Sequence, residues 1–342
     1  MRSLLLGALA IGSMHGARAV PASAACDESC LKGVMDAYLN ALEKHDPSLV
    51  PVAAHYRYTE NGAQIQLGDA LWVTFNSYGK YRHDVYDPDT GGVASYLSIV
   101  ENHEMPFPDF LAVRLKVSGG KITEIETVVD RHAAGTENMP PKDPSWMEIM
   151  NRVEPKATRI SRQALKKGAL GYMRAVAFHN GDLAPFAESC IRLENGMVSA
   201  LGPNDTAPVP KLEMPRPPGS APVPSFFLLG LGCAKQLGYK SYIFITGYED
   251  AHFPIVDTKR QLVYAVFDFM RRGNVESWTY EGRKIPYPDG MRYPNEILNT
   301  EIFKFVNGKI TRVEAVFEGP QSYMRGTGWP GGSKAESRPI GE

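Results

Sequence analysis

The sequence lacks the features that mark nucleic-acid-binding and membrane-spanning proteins. Its 342 residues carry 37 Lys and Arg against 38 Asp and Glu, which gives a formal net charge of −1. A near-neutral chain offers no electrostatic basis for binding nucleic acid or an anionic membrane. No apolar run is long enough to span a bilayer. We therefore predict a small-molecule ligand as the partner, with neither nucleic acid nor membrane.

The first 25 residues have the pattern of a signal peptide. Arg2 gives a positive start, Leu4–Met14 is a short apolar core, and Ala22-Ser23-Ala24 is a cleavage site of the A-x-A type. We predict that residues 1–25 are removed and that the mature protein is secreted or periplasmic.

Signatures of several enzyme classes are also missing. The chain has no Gly-rich phosphate loop, no G-x-S-x-G and no H-E-x-x-H. Its only cysteines are Cys26, Cys30, Cys190 and Cys233, and they lack the paired spacing of a zinc knuckle. We predict no metal and no cofactor. After export the cysteines can form disulfides, and all three pairings remain open.

A 25-residue stretch occurs twice without a gap. Tyr38–Gly62 (YLNALEKHDPSLVPVAAHYRYTENG) aligns with Tyr172–Gly196 (YMRAVAFHNGDLAPFAESCIRLENG), and nine of the 25 positions are identical. A second pair, Ala112–Val129 and Thr300–Phe317, shares Gly-Lys-Ile-Thr and follows in the same order. Two ordered matches indicate a duplicated domain, so we predict two similar globular domains.

The duplication sets the predicted boundaries. Residues 26–132 form the first domain, residues 133–158 a linker, and residues 159–322 the second domain. A Pro-rich insertion at residues 203–224 should form an extended arm, and residues 326–342 a disordered tail.

Each domain should begin with a helix and continue as strands. Apolar residues at three- and four-residue spacing predict helices over residues 27–44 and over Ser161–His179. Alternating segments such as Ala54–Glu60 and Val93–Glu101 predict strands. One long helix followed by a curled antiparallel sheet is an α+β arrangement.

Short motifs in both halves resemble one known superfamily. The first half has Thr59-Glu60-Asn61-Gly62 and then Leu67–Trp72 (LGDALW), and the second half has Tyr242–Thr246 (YIFIT) and Phe253–Asp257 (FPIVD). They resemble the SnoaL-like branch of the nuclear-transport-factor-2-like (NTF2-like) superfamily. The resemblance extends over about residues 26–320. The chain departs from the common pattern at Thr258-Lys259, where acidic residues are usual.

The resemblance implies two tandem NTF2-like cones, each a strongly curved antiparallel sheet wrapped around helices. The two cones would pack as an internal pseudo-dimer, and a homo-oligomer is the alternative. Members include cofactor-free isomerases, dehydratases, lyases, cyclases and epoxide hydrolases of apolar ring compounds. Others are binding or dimerisation modules, so the fold alone does not decide the function.

Histidines close to carboxyl groups are the candidate bases. His83 follows Arg82 and precedes Asp84, and His252 lies near Asp250. Because adjacent strand residues point to opposite faces, we expect no contact between His83 and Asp84. The alternative for each histidine is a structural position at the surface or at the rim of the core.

Two carboxyl groups of the second half are the candidate acids. If Lys116 and Lys304 point to water, Val113 and its equivalent Glu301 point into the cones, where burial would raise the pKa of Glu301. The alternative is that this face is reversed.

The second candidate acid follows from an alignment of two turns. Matching Asp89-Thr90 with Asp257-Thr258 places Tyr96 opposite Tyr264 and makes Asp268 the equivalent of an apolar residue in the first half.

The candidate substrate-binding residues are Tyr56, Tyr58, Glu60, Trp72, Tyr96, Tyr248, Tyr264 and Trp278. Many of these rings could equally belong to the core. Recurrence of Asn61 as Asn195 favours a structural role for that turn. Glu126 and its equivalent Glu314 are expected to be solvated.

The predicted function is a cofactor-independent lyase, dehydratase, isomerase or hydrolase that uses acid–base catalysis on a small, mostly apolar, oxygenated ring compound. The alternative is a secreted, non-catalytic small-molecule-binding or scaffold protein.

Overall fold

The computed structural model describes residues 26–102, 108–131, 145–203, 230–280, 282–287, 289–321, 327 and 329–339. The predicted signal peptide, nearly all of the Pro-rich insertion and the first part of the predicted linker lie outside these residues.

Five α-helices and fifteen strands lie within the described ranges. The helices are α1 (Glu28–Glu43), α2 (Leu71–Thr74), α3 (Ser145–Asn151), α4 (Arg162–Ala177) and α5 (Gly232–Gly238). The strands are β1 (Val52–Glu60), β2 (Ala63–Gln64), β3 (Phe75–Asp87), β4 (Gly92–Glu101), β5 (Asp109–Ser118), β6 (Lys121–Asp130), β7 (Phe186–Glu194), β8 (Met197–Ala200), β9 (Gly247–Asp257), β10 (Leu262–Arg271), β11 (Ser277–Tyr280), β12 (Arg283–Pro286), β13 (Asn295–Val306), β14 (Lys309–Gln321) and β15 (Glu336–Ser337).

Two large sheets share one strand order. The first sheet runs β2-β1-β6-β5-β4-β3, and the second runs β8-β7-β14-β13-β10-β9, with β15 added beside β9. This is the arrangement that a duplicated domain would produce. Register shifts between paired strands, such as the one between Tyr78 and Arg82, bend the sheets.

The prediction of purely antiparallel sheets is wrong at one ladder in each half. β1 runs parallel to β6, and β7 runs parallel to β14. Strands joined by a tight hairpin must be antiparallel. In the chain, however, β2 to β5 lie between β1 and β6, so no hairpin turn fixes the relative direction of β1 and β6. Both sheets are therefore mixed.

One long helix covers one face of each sheet, which we call the inner face. Leu31, Met35 and Leu42 of α1 pack into the core of the first sheet, and α4 packs likewise in the second half. The Asp27 side chain accepts a hydrogen bond from the Cys30 backbone N–H at 2.9 Å and starts α1. The described α+β architecture is thus a helix on a curved sheet, present twice.

The opposite, outer faces of the two sheets contact each other. A shared apolar cluster includes Tyr96 and Phe110 from the first sheet with Tyr264 and Ile302 from the second. The rings of Tyr96 and Tyr264 lie 5.9 Å apart between centroids, and the Tyr96 hydroxyl donates to Thr300 Oγ1 at 3.0 Å. The two sheets are therefore joined by a buried interface that is mainly apolar and contains specific hydrogen bonds.

The prediction of a disordered C-terminal tail is wrong for the described residues 329–339. Glu336 and Ser337 form β15 against β9, and Trp329 is only 9% exposed. Its indole Nε1 donates to Thr59 Oγ1 in the first sheet at 3.1 Å. Burial of this ring and backbone pairing offset the cost of ordering the segment.

Two disulfides, Cys26–Cys30 and Cys190–Cys233, account for the four cysteines. They select one of the three pairings that the sequence leaves open. None of the helices in the described part of the chain has the length and apolar character that a bilayer crossing needs.

Candidate active site

The predicted site residues do not converge on one place. Glu301 lies on the inner face of the second sheet. Tyr58, Glu60 and Trp72 lie inside the first half, whereas His83, Tyr96, Tyr264 and Asp268 belong to the outer faces. His252 and Tyr56 line a surface groove, and Tyr248 and Trp278 belong to the core of the second half.

Glu301 stands on the face where the sequence analysis places it, although the premise for that placement is wrong. Alternation along β13 puts Glu301 on the same face as Phe303, which packs against α4. Lys304 does not point to water. Its Nζ is buried and donates to the Arg152 and Arg260 carbonyl oxygens at 2.8 and 2.6 Å, because the segment after α3 covers this end of the outer face.

Arg192 supplies a positive charge on the same inner face. Its guanidinium carbon lies 5.5 Å from the Tyr172 ring centroid and 5.1 Å from that of Tyr242. Its Nη1 donates to Gln236 Oε1 at 3.1 Å, and its Nη2 pairs with the Glu194 carboxylate. The two aromatic rings and these polar partners fix the guanidinium plane.

Two carboxyl groups lie near this single guanidinium. Burial raises the pKa of Glu301 well above its usual range. Arg192 and a hydrogen bond from Tyr172 lower that pKa, and the Glu194 carboxylate raises it further. Because Glu194 already neutralises Arg192, a second buried negative charge is unfavourable. Burial therefore favours the protonated form of Glu301, and its Oε2 has no hydrogen-bond partner among the described residues.

Helix α5 is attached to this cluster covalently. The Cys190–Cys233 disulfide joins β7 to the start of α5, one helical turn before Gln236. Gln236 Nε2 then donates to the Ser199 carbonyl oxygen at 2.5 Å, which orients its Oε1 toward Arg192. The disulfide and Gln236 thus hold the guanidinium in place.

His83 lies between the sheets and not on an inner face. It is fully buried, and its Nδ1 lies 2.9 Å from Glu314 Oε2. Asp84 points to the other face of β3, as expected from alternation, and accepts from the Ser95 and Tyr86 hydroxyls at 2.6 and 2.8 Å. His83 is therefore separated by the sheet from the interior of either half.

The predicted equivalence of Tyr96 and Tyr264 is shifted by two residues. Gly92 pairs with Lys116, and Leu262 pairs with Lys304. With the two lysines equivalent, the counterpart of Tyr96 is Val266. Because side chains alternate with a period of two, this shift leaves both tyrosines on the outer face, where they meet.

Asp268 lies on the outer face of β10 and is nearly buried. Burial raises its pKa to about 8, and the nearby carboxylates of Glu296, Glu249, Asp250 and Glu126 add to the rise. Glu126 belongs to the first sheet, so Asp268 stands close to the interface between the sheets.

In the interior of the first half, the carboxyl group of Glu60 forms an ion pair with Arg131. Glu60 accepts from the Leu71 backbone N–H at 3.1 Å, from the Tyr58 hydroxyl at 3.3 Å and from Arg131 Nη2 at 2.9 Å. Arg131 also contacts Glu101, at 2.7 Å from its Nε. These contacts compensate the charge of Glu60, in contrast to the Oε2 atom of Glu301, which has no partner among the described residues.

The remaining predicted residues have partners in the core. The Tyr248 hydroxyl donates to Glu336 Oε1 at 2.7 Å, and Trp278 packs on Tyr280 with 5.6 Å between ring centroids. Within the ranges that the structure describes, no three His, Cys, Asp or Glu side chains are placed to hold one metal ion.

The cluster around Glu301 contains four residues that were not predicted as site residues from the sequence: Arg192, Gln236, Tyr172 and Tyr242. A signal for two of them was available, because Arg192 precedes the recurring Glu194 by two residues and Tyr172 opens the repeated stretch. Gln236 and Tyr242 reach Arg192 only through tertiary packing, which no local pattern shows.

Comparison with known proteins places the chain by family only. A family model described as a domain of unknown function (DUF8021) matches residues 25–129 and 158–317. No curated protein matches. The two matched ranges agree with the two sheets.

Three solved structures are similar to part of the chain. A de novo designed protein with a curved β-sheet has a TM-score of 0.25 at 15% identity, covering 31% of this chain and 88% of its own. A cystatin-like-fold protein of unknown function from Methylobium petroleophilum PM1 has a TM-score of 0.29 at 11% identity. The match covers 48% of this chain and 82% of that protein. A provisionally assigned polyketide cyclase from Silicibacter sp. TM1040 has a TM-score of 0.27 at 12% identity. The match covers 47% of this chain and 93% of that protein.

Proposed function

The chain belongs to the DUF8021 family of domains of unknown function, and we propose that its second half is an acid–base catalyst for a small, mostly apolar, oxygenated ring compound. One observation supports the proposal: the buried carboxyl group of Glu301 shares the inner face with the fixed guanidinium of Arg192, and burial raises the pKa of Glu301 well above its usual range. A carboxyl group with a raised pKa at such a place is typical of catalytic acids.

Each residue has a defined part in the proposed mechanism. The Glu301 carboxylic acid donates its proton to a carbonyl or hydroxyl oxygen of the substrate and becomes a carboxylate. Arg192 stabilises the negative charge that develops on Glu301 or on the substrate oxygen. The carboxylate then takes a proton from a neighbouring carbon, which completes an isomerisation or a dehydration without a cofactor.

The surroundings of Glu301 suit an apolar ring. Phe303 and Phe305 lie on the same strand face, and Tyr172 packs on Phe303 with 4.9 Å between ring centroids. Aromatic walls around a few fixed polar groups favour ring compounds over extended polar ones.

We also propose that the two halves are NTF2-like cones of the SnoaL-like type. One long helix on the inner face of a curved six-strand order, repeated in both halves, supports this assignment. Export to an oxidising compartment completes the proposal, because two disulfides are stable there.

Hydrogen–deuterium exchange tests the catalytic proposal without a known substrate. The full chain is incubated in D₂O with a panel of cyclic ketones, enones and hydroxyketones, and mass spectrometry measures deuterium at the carbon beside the carbonyl. We expect exchange with at least one compound and a loss of about 100-fold or more in Glu301→Gln, the usual contribution of a general acid or base.

Glu318→Gln is the matched control. Glu318 is a carboxyl group on the adjacent strand β14, and partial burial raises its pKa to about 7, but it lies near Asp130 and Arg131, away from Arg192. Its variant should retain exchange within about twofold. Equal exchange in the native chain and in Glu301→Gln would contradict the proposal. A compound that binds without exchange in any variant would favour the non-catalytic binding alternative.

A further inference from the structure

A groove of about 420 Å³ lies on the surface where both halves and the C-terminal segment meet. Tyr56 and Arg57 come from β1, Arg114 from β5, His252 from β9, and Trp329 from the C-terminal segment. Its volume is within the range of small-molecule sites, about 300–1,000 Å³. The groove is separate from the inner face that carries Glu301, and nothing in the proposed catalysis uses it.

The charges around the groove balance one another. Arg114 donates from Nε to Glu126 and from Nη1 to Glu124, both at 2.7 Å. The guanidinium carbons of Arg57 and Arg114 lie 5.0 and 4.6 Å from the Trp329 ring centroid. The two guanidinium groups are thus matched in number by two carboxylates, both of which bind Arg114, and this favours a neutral ligand over an ionic one.

The groove also offers a defined hydrogen-bond acceptor. The Nδ1 of His252 lies 3.1 Å from the Asp250 carbonyl oxygen, an atom that can only accept, so Nδ1 carries the ring proton. With that proton on Nδ1, the Nε2 atom of an imidazole without a second proton is an acceptor. It is buried and has no partner within the part of the chain that the structure describes. A ligand hydroxyl would satisfy it.

An exposed aromatic ring stands beside these polar groups. Tyr56 is 40% exposed, although the last three residues of the same strand, Tyr58 to Glu60, are buried. An exposed ring next to hydrogen-bonding groups presents a flat apolar face to a ligand that is polar at its edge.

We propose that this groove binds a neutral, polyhydroxylated ring, that is, a sugar. The apolar face of the sugar ring packs on Tyr56, and one hydroxyl donates to His252 Nε2. Glu124 and Arg57 interact with further hydroxyls as acceptor and donor. Charge balance, an exposed aromatic ring and adjacent donors and acceptors are the features that a sugar ring needs and that an apolar ligand would leave unsatisfied.

Saturation-transfer NMR titration of the full chain tests the proposal. The probes are neutral methyl glycosides, with cyclohexanemethanol as a ring that has few hydroxyls and glucuronate as a charged sugar. We expect at least one methyl glycoside to bind, no binding of cyclohexanemethanol, and no gain in affinity for glucuronate. A trisaccharide of the sugar that binds then distinguishes two sources of the ligand. Tighter binding of the trisaccharide than of the methyl glycoside indicates a glycan, and equal affinity indicates a free sugar.

Variants locate the binding to the groove. Tyr56→Ala and His252→Phe should each weaken binding about three- to tenfold, the effect of one lost ring contact or hydrogen bond. Tyr293→Ala, a matched exposed tyrosine outside the groove, should bind like the native chain. Absence of binding by every methyl glycoside, tighter binding of cyclohexanemethanol, or unchanged affinity in both groove variants would each overturn the proposal.

Discussion

The Nδ1 atom of His83 lies 2.9 Å from the Oε2 atom of Glu314, and both side chains are completely buried. The residues are 231 positions apart in the chain and belong to different sheets. The Tyr81 hydroxyl donates to the other Glu314 oxygen at 2.5 Å. Glu314 therefore connects two side chains of the first sheet to the second sheet, in an interface that is otherwise mostly apolar.

Loss of this acceptor should weaken the contact between the halves. Glu314→Gln keeps the size of the side chain but replaces one oxygen by an amide that cannot accept. We expect the free energy of unfolding to fall by about 1–3 kcal/mol, because a buried donor loses its partner. Urea denaturation measures this change in the free energy of unfolding.

Glu276→Gln is the control, because Glu276 is exposed. Its free energy of unfolding should stay within about 0.5 kcal/mol of the native value. If Glu314→Gln were as stable as this control, the His83–Glu314 contact would not contribute to the interface.

The contact also shows where sequence-based prediction fails. Glu126 and Glu314 recur in both halves, and we expected both in water, yet they are 2% and 0% exposed. Period-two alternation correctly separates the faces of a strand, but it cannot tell whether the outer face meets solvent or a second sheet. That choice depends on how the two halves pack, which lies outside any local pattern.

Asp268 should make stability depend on pH. Burial raises its pKa from 3.8 to about 8 in the folded chain, so the folded state holds a proton that the unfolded state releases above pH 4. Its stabilising effect is full below about pH 4 and is lost as the pH rises toward 8. Asp268→Asn should therefore become more stable than the native chain as the pH rises from 5 to 8.5, by one to a few kcal/mol.

Denaturation of both proteins at several pH values measures this difference. The shape of the curve is diagnostic: the gap between variant and native chain should widen up to about pH 8 and then stay constant. Asp182→Asn, at an exposed position, should show no such widening. A constant gap for Asp268→Asn across the range would contradict a buried, protonated Asp268.

The turn after β1 and its counterpart after β7 were predicted more successfully. Recurrence indicated a structural role for Asn61 and Asn195, and both adopt positive φ angles, 47° and 46°. Each side chain also bonds the backbone of the closing strand: Asn61 bonds Val129 at 3.1 and 2.8 Å, and Asn195 bonds Phe317 at 3.0 and 2.9 Å. The turn could be predicted from the Asn-Gly pair, but these cross-strand bonds could not.

Replacing either asparagine should therefore cost similar stability. Asn61→Ala and Asn195→Ala each lose two hydrogen bonds and place alanine in the left-handed region of backbone conformation. We expect each substitution to lower the free energy of unfolding by about 2–4 kcal/mol. Glycine adopts the left-handed conformation without strain. Asn61→Gly and Asn195→Gly should therefore lose only the stability that the two hydrogen bonds contribute. Thermal and urea unfolding measure all four, with Asn274→Ala as an exposed control. A large cost in one half only would argue against equivalent turns.

His179 is a recurring histidine whose role does not follow from its position in the chain. His45 follows α1 and His179 follows α4, and a positive charge would be favourable at the negative end of each helix. Burial, with Arg338 and Lys240 nearby, lowers the pKa of His179 to about 3, so it is neutral and cannot act through charge. The second half covers this helix end with its C-terminal segment, which the sequence analysis took for a disordered tail.

The two disulfides should contribute unequally to stability and function. Cys190 and Cys233 are 43 residues apart, and Cys26 and Cys30 only four. A cross-link restricts the unfolded chain more when it closes a longer loop, which gives about 4 kcal/mol for the first pair and about 2 kcal/mol for the second. The double variant Cys190→Ala/Cys233→Ala should therefore unfold at lower urea than Cys26→Ala/Cys30→Ala.

The longer disulfide should also matter for the proposed catalysis, because it anchors the helix that carries Gln236. Without it, α5 loses its covalent attachment to β7, and Gln236 no longer fixes the Arg192 guanidinium. Deuterium exchange under conditions where both variants remain folded should fall in Cys190→Ala/Cys233→Ala and stay near native in Cys26→Ala/Cys30→Ala, whose bridge lies at the start of α1 in the other half. Equal exchange in the two variants would mean that the position of Arg192 does not depend on α5, and that the strand β7 alone is enough to hold it beside Glu301.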